Sequence, residues 1–204
     1  NKWLEKYNAV APVREYLTSD KFSNFFKSVF AFPSLSEIGF VENTIKVKPY
    51  TLDSISKYQE IRDFPAVDVT SYLSPHLRFG TVSVRKMVNW SAKTNAVFLS
   101  ELIWREFFMQ ILFNFPRELT HNFKSAYDGI QWRNNEEDFK RWCSGTKGYP
   151  MVDAGLIQLN ETGYMHNRVR MVEASFLCQH LMFQCRWGEA CFAEKLLVYE
   201  MSSI

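Results

Sequence analysis

The stretch Asn95-Ala96-Val97-Phe98-Leu99-Ser100-Glu101-Leu102-Ile103-Trp104-Arg105-Glu106-Phe107-Phe108-Met109-Gln110-Ile111-Leu112-Phe113-Asn114-Phe115 decides the fold class. It is apolar nearly all round. That predicts a helix buried in the middle of a domain. Glu101, Trp104, Arg105 and Phe108 stand at i, i+3, i+4 and i+7, so they share one face. Two readings of that face stay open. One is an internal Glu101–Arg105 pair; the other is the wall of a cavity whose ligand needs a carboxylate, an indole and a guanidinium. Buried charge is costly without a partner or a ligand.

Helical signals continue on both sides. Asp53 is placed to cap a helix carrying Ile55, Tyr58 and Ile61, which Pro65 ends. Ser83 caps a helix from Val84 to Ala92. Asn135 precedes Glu136, Glu137 and Asp138, acids that suit a first turn. Lys140 and Arg141 suit its end, and Gly145 is the stop. A helix over roughly His166–Arg186 is entered through Gly163. Its face carries Asn167, Arg170, Met171 and Ala174, continued by Leu177, Cys178, Leu181 and Cys185. One continuous helix would point Asn167 and Cys185 the same way, about five turns apart. An Asn and an Arg opening such a stripe are capping and solvated groups, or ligand contacts. Residues 1–30 read as one or two short helices, with Phe22, Phe25, Phe26 and Phe30 at helical spacing. Thr44-Ile45-Lys46-Val47-Lys48 alternates briefly. The expectation is an all-α domain with long connections, at least two-thirds helical from Asp53 onward.

Composition sets outer bounds. The 204 residues suit one large domain, or a domain with an extra arm. Hydrophobic residues at 47% and charged residues at 23% exclude wholesale disorder. No apolar run reaches the roughly 18 residues of a membrane span, so no membrane partner is expected. A net charge of +2 does not by itself announce a nucleic-acid binder, although a local basic face fits within it. Cys143, Cys178, Cys185 and Cys191 lack CxxC spacing, and neither a disulfide nor a metal site is expected. A reducing, cytoplasmic compartment suits them. Aromatic residues make up 16% of the chain. They build a large core, or a pocket for a flat ligand such as a flavin or a nucleobase. The opening Asn1-Lys2-Trp3-Leu4-Glu5-Lys6 has no initiator Met and no signal-peptide core, so the chain is expected to be part of something longer.

Three motifs then narrow the reading. Thr70-Ser71-Tyr72-Leu73-Ser74-Pro75-His76-Leu77-Arg78-Phe79-Gly80 resembles the flavin-phosphate segment of the photolyase/cryptochrome family. Glu101-Leu102-Ile103-Trp104-Arg105-Glu106-Phe107 resembles that family's central helix. Gly148-Tyr149-Pro150-Met151-Val152-Asp153-Ala154, with Gly163-Tyr164-Met165-His166-Asn167-Arg168-Val169-Arg170-Met171, is similar to its most recognisable stretch. The resemblance covers about residues 31–204. It is closest to the FAD-binding helical domain of bacterial class I cyclobutane-pyrimidine-dimer (deoxyribodipyrimidine) photolyases. The (6-4) enzymes carry a His pair where this chain has His166-Asn167, and fit less well.

The resemblance implies a photolyase-type helical FAD-binding domain over 36–204. A connector arm over 1–35 would precede it, following an N-terminal α/β antenna domain that is not in this sequence. These residues leave the antenna pigment unknown. The C-terminus is expected to stop short of a family segment resembling Asn-Gly-Asn-Trp-Gln-Trp. By resemblance Tyr58, Thr70, Ser71, Leu73, Ser74 and Arg105 contact FAD on its phosphate side, and Asn167 and Arg170 stand beside the flavin ring. Glu101, Trp104, Asn167 and Met171 receive a flipped-out dimer. Arg62, Trp104 and Arg168 contact DNA. The implied activity is light-driven repair of pyrimidine dimers in DNA by electron transfer from reduced FAD. Its alternatives are a cryptochrome-like blue-light signalling flavoprotein and a DNA-binding remnant with an empty pocket. A monomer is expected.

Departures from the family pattern cluster late in the chain. Trp132 aligns with the outer member of the family's three-tryptophan electron path, but Cys185 stands at the middle position. Trp187 is about 200° away around a helix, too far to substitute simply. Cys191 replaces an expected aromatic. Val198 stands where the family has an Asp that pairs with the Arg170 equivalent, and Ile204 where an Asn faces the ring. These changes predict weak retention of FAD.

Overall fold

The computed structural model describes residues 2–16, 22–27 and 30–203. Among them there is no β-strand, in keeping with the all-α expectation. The α-helices are α1 (Lys2–Val10), α2 (Tyr58–Ile61), α3 (Leu73–Arg78), α4 (Val84–Thr94), α5 (Ala96–Asn114), α6 (Glu136–Cys143), α7 (Pro150–Thr162), α8 (Asn167–Ser175) and α9 (Cys185–Lys195). None of these is long and apolar enough to cross a membrane.

Local chemistry sets several of these boundaries. Asn95 Oδ1 accepts from the backbone N–H groups of Val97 and Phe98, both at 3.0 Å, and so starts α5 where the sequence places it. Ser83 and Asn135 cap α4 and α6 in the same way, accepting from Lys86 and Asp138. Gly163 closes α7 in the left-handed region, φ +70°, with its N–H on the Leu159 carbonyl.

Two apolar cores result. One joins Ile55, Leu73, Leu77, Met87, Phe98 and Leu102, drawn from the turn before α2, α3, α4 and α5. The other gathers Trp142, Leu156, Leu159, Phe176, Phe183 and Phe192 from α6, α7, α9 and the turns after α8. In the second core α7 and α8 approach closely because position 155 is glycine. A Cβ there would stand 2.5 Å from Val169 Cγ1 and 2.8 Å from Glu173 Oε1.

Glu173 is fully buried in that contact. Trp142 Nε1–H donates to its Oε2 at 3.1 Å, and its Oε1 has no partner. Burial pushes the carboxyl up from 4.5 to about 8, partly opposed by the indole hydrogen bond. Between those values the folded chain holds a proton that the unfolded chain has lost. The contribution of Glu173 to stability therefore falls as pH rises through this window, by about 1.4 kcal/mol per unit, and is flat outside it. Glu173→Gln is expected to abolish this slope in denaturant titrations between pH 5 and 8; an unchanged slope would place the titration elsewhere.

Several expectations need correction. The single helix over His166–Arg186 is two. After α8 the chain widens into a π-turn, with Leu181 N–H donating to the Phe176 carbonyl. Met182 then takes φ +58°, and α9 begins afresh at Cys185. Burial of Phe183 accompanies the break, so Asn167 and Cys185 share no face. The central helix α5 is buried only in its first half, through Phe98, Leu99 and Leu102, whereas Phe113 is 81% exposed. The Phe22–Phe25 segment is one turn and not a helix, and Phe22, Phe25, Phe26 and Phe30 are all exposed. Thr44–Lys48 pairs with no strand among the described residues. Asp53 caps nothing; Ser54 holds the N-cap position without a side-chain bond, and Ile55–Lys57 opens as a 3₁₀ turn. Long connections at 62–72 and 115–135 bring the helical share from residue 53 slightly under two-thirds.

Candidate functional site

A cleft of about 450 Å³ is lined from both cores, by Ile55, Phe98 and Leu102 on one side and Met165 and Leu196 on the other. Its size lies within the usual span of ligand pockets, about 300–1,000 Å³. Three segments supply its polar groups.

The first is the turn before α3. Tyr72 sits in the left-handed region at φ 52°, held by its hydroxyl. That hydroxyl donates to Asp68 and accepts from Lys48 Nζ at 2.8 Å. The ring meets Tyr164 edge-on at 5.2 Å. This fixed turn sets Thr70, Ser71, Leu73 and Ser74 along the cleft wall.

The second is α5, where Glu101, Trp104, Arg105 and Phe108 do share the cleft-facing side. The Glu101–Arg105 pair is absent. Glu101 Oε1 instead accepts from Arg62 Nη1 at 2.6 Å, while Arg105 lies 3.9 Å from Glu200, which also stands 4.0 Å from Arg78. Arg62 further lies over the ring of Tyr58, 5.2 Å from its centre, and Tyr58 packs edge-on against Phe98. Burial, then the Glu101 charge, raise the pKa of the Tyr58 hydroxyl. Trp104 is 51% exposed and stacks on Phe108 at 5.7 Å.

The third is the start of α8. His166 caps it, its ring Nδ1 accepting from Arg168 N–H. Burial and the nearby Arg168 charge lower the His166 pKa. Asn167, Arg168 and Arg170 line the cleft, and Arg168 Nε donates to Asp63 at 2.7 Å. Among the described residues Arg170 reaches only the Met165 carbonyl, at 3.5 Å, and its buried Nε has no partner; burial lowers its pKa. Val198 lines the same cleft and offers no charge.

Other residues that the sequence singles out lie outside the cleft lining. Met171 is over half exposed and outside the cleft lining, its sulfur 3.6 Å from Arg168 Nη1. It borders a shallow hollow with Val172, Ser175, Phe176 and His180. Trp132 is half-buried and also outside the lining. Cys185 is exposed, whereas Trp187 packs into the second core, edge-on to Phe139 at 5.1 Å. Ile204 lies outside the described residues. Conversely, the cleft includes Arg78 and Glu200, and the ion pairs include Asp63, none of which helical periodicity marks. Among the described residues no three His, Cys, Asp or Glu side chains gather into a metal site.

Comparison with known proteins agrees with this geometry. The family model described as the FAD binding domain of DNA photolyase matches residues 98–204. A deoxyribodipyrimidine photo-lyase of Agrobacterium fabrum is 41% identical over 160 residues, which are 74% of this chain and 33% of that protein. An archaeal photolyase from Sulfolobus tokodaii, solved with two FAD molecules, matches with TM-score 0.67 at 41% identity, over 75% of this chain and 34% of its own. A class III photolyase from Agrobacterium tumefaciens gives 0.64 at 40% identity, over 71% and 33%. A Synechocystis cryptochrome gives 0.67 at 32% identity, over 74% and 33%. The chain thus spans about a third of the length of such relatives. On the family match, over residues that include α5, α8 and much of the cleft, the chain belongs to the FAD-binding-domain family of the DNA photolyases.

Proposed function

We propose that the cleft holds FAD and that the chain serves light-driven repair of cyclobutane pyrimidine dimers in DNA. The observation carrying this reading is the shared lining. The hydroxyl segment Thr70–Ser74, Arg105, Asn167 and Arg170 stand on the same cleft as Glu101 and the half-exposed Trp104. The residues fit a flavin ligand on a count of their own: buried Arg170 Nε is a donor without an acceptor, and a flavin ring offers oxygen and nitrogen acceptors. Tyr58, Thr70, Ser71, Leu73, Ser74 and Arg105 would hold the phosphate side, with guanidinium and hydroxyl donors suited to an anion. Asn167 and Arg170 would hold the ring. When bound and reduced, FAD supplies the light-driven electron that splits the dimer.

The chain's own residues recognise the substrate. Trp104 gives a π-face to the extruded pyrimidine dimer. Glu101 accepts from pyrimidine N–H edges, and Asn167 donates to or accepts from the bases. Arg62, Trp104 and Arg168 meet the DNA. Met171, outside the cleft lining, would reach a substrate only at its open side. Residues 1–35 serve as a connector to a preceding domain, and the working unit is a monomer in the cytoplasm.

A blue-light sensor of cryptochrome type is the second reading, favoured by the likeness to the Synechocystis cryptochrome. The exposed indole of Trp104 beside Glu101 supports repair over sensing, since a sensor has no use for a base-stacking surface. Ultraviolet-damaged oligonucleotide, reductant, added FAD and visible light decide between them. Loss of dimers in the light and not in the dark is expected. Flavin photochemistry with no loss of dimers would sink the repair reading.

A further inference from the structure

Four charged side chains, three of them in the cleft lining, alternate in sign. Glu101 on α5 accepts from Arg62 Nη1 at 2.6 Å, and Arg62 Nε lies 3.8 Å from Asp63 Oδ1. The same Asp63 oxygen accepts from Arg168 Nε, on α8, at 2.7 Å. The set links a helix of the first core to a helix of the second and carries no net charge. Both arginines proposed to meet DNA phosphates are therefore already engaged by acids, and the acid on Arg62 is the carboxylate proposed to meet the bases.

A carboxylate and a phosphate ask the same thing of a guanidinium, paired N–H donors facing oxygen. Partly exposed ion pairs are weak, so little resists a swap. We infer that DNA is taken up by partner exchange: backbone phosphate takes Arg62 from Glu101, and the freed Glu101 turns to the extruded bases. Arg62 is then a positioning residue that holds Glu101 until the backbone has docked. Phosphate docking, which is blind to sequence and damage, is thereby coupled to base recognition. Arg168 and Asp63 undergo the same exchange. This rests on the repair reading above.

The exchange predicts that removing the Glu101 charge strengthens binding to undamaged duplex, because Arg62 is then free beforehand. Glu106→Gln is the control, since it deletes the same charge from the same helix at a side chain that meets Gln110. Binding of an undamaged duplex oligonucleotide is measured against salt concentration for the chain and for Glu101→Gln, Glu106→Gln, Arg62→Ala and the doubles of each glutamate change with Arg62→Ala. Circular dichroism confirms that each variant is folded. Glu101→Gln should bind up to about fivefold more tightly than Glu106→Gln at the same salt, the worth of an ion pair that docking no longer has to break. Arg62→Ala should lower the log–log salt slope by about 0.9, and in its background the two glutamate variants should bind alike. Equal affinities for Glu101→Gln and Glu106→Gln with Arg62 present would overturn the exchange while leaving the repair reading intact. A chain that binds no duplex at any salt concentration would overturn the repair reading itself, and the exchange with it.

Discussion

The chain is expected to purify with little flavin, and Val198→Asp to raise its affinity for added FAD by one to two powers of ten. The reason is the state of Arg170. Its guanidinium is largely removed from water, its Nε has no acceptor, and a single carbonyl at 3.5 Å is its nearest anchor. No ion pair with an acid is found for it among the described residues, and Val198 lines the cleft in its place. A ligand ring arriving there meets a cation that nothing orients. A carboxylate at position 198 would fix that cation by a charge-assisted hydrogen bond. Such a bond is worth about 1.5–3 kcal/mol, or about 10- to 150-fold in affinity. Titration of the apo-chain with FAD, followed by flavin fluorescence, measures this directly. Near-stoichiometric FAD in the unmodified chain, or an equal affinity in the variant, would show that this end of the cleft does not govern binding.

Trp104→Ala should weaken binding to dimer-containing DNA by about 5- to 150-fold and binding to undamaged duplex much less. An indole stacked on a base contributes about 1–3 kcal/mol, and only an extruded base reaches it. In the folded chain Trp104 touches Phe107 and Phe108, and half of its surface is open. Its removal therefore uncovers little core. Competition binding with matched damaged and undamaged duplexes separates the two roles. Equal losses on both would make Trp104 a packing residue.

Much of the scaffold was legible because its signals are local. Ser83 and Asn135 announce their helices through side chains that reach only three residues ahead. That Glu101, Trp104, Arg105 and Phe108 share one side of α5 followed from spacing alone; that this side lines a cleft did not. What spacing could not give was the partner of each charge. Glu101 and Arg62 are 39 residues apart, and Arg168 and Asp63 are 105 apart. A periodic reading sees Glu101 and Arg105 four apart and has no access to Arg62 or Glu200. The break after α8 was hidden for another reason. Residues 176–183 contain neither glycine nor proline, so the helical pattern runs through a point where the backbone does not. The motifs marked Thr70–Ser74 and the start of α8, both of which line the cleft, and Met171, which does not.

The segment that follows α9 sorts its side chains by parity. Leu196, Val198 and Glu200 line the cleft. Leu197 packs against Gly163, whose missing Cβ would lie 2.7 Å from Leu197 Cγ, and Tyr199 donates to Glu189 at 2.8 Å. A two-residue alternation of this kind is indifferent to many substitutions but intolerant of a change in count, since a slip of one residue exchanges the two faces. Deleting Leu196 would thus bring Leu197 and Tyr199 to the cleft and carry Glu200 away from Arg105 and Arg78. In a lineage of such chains, the length of this stretch is expected to be held.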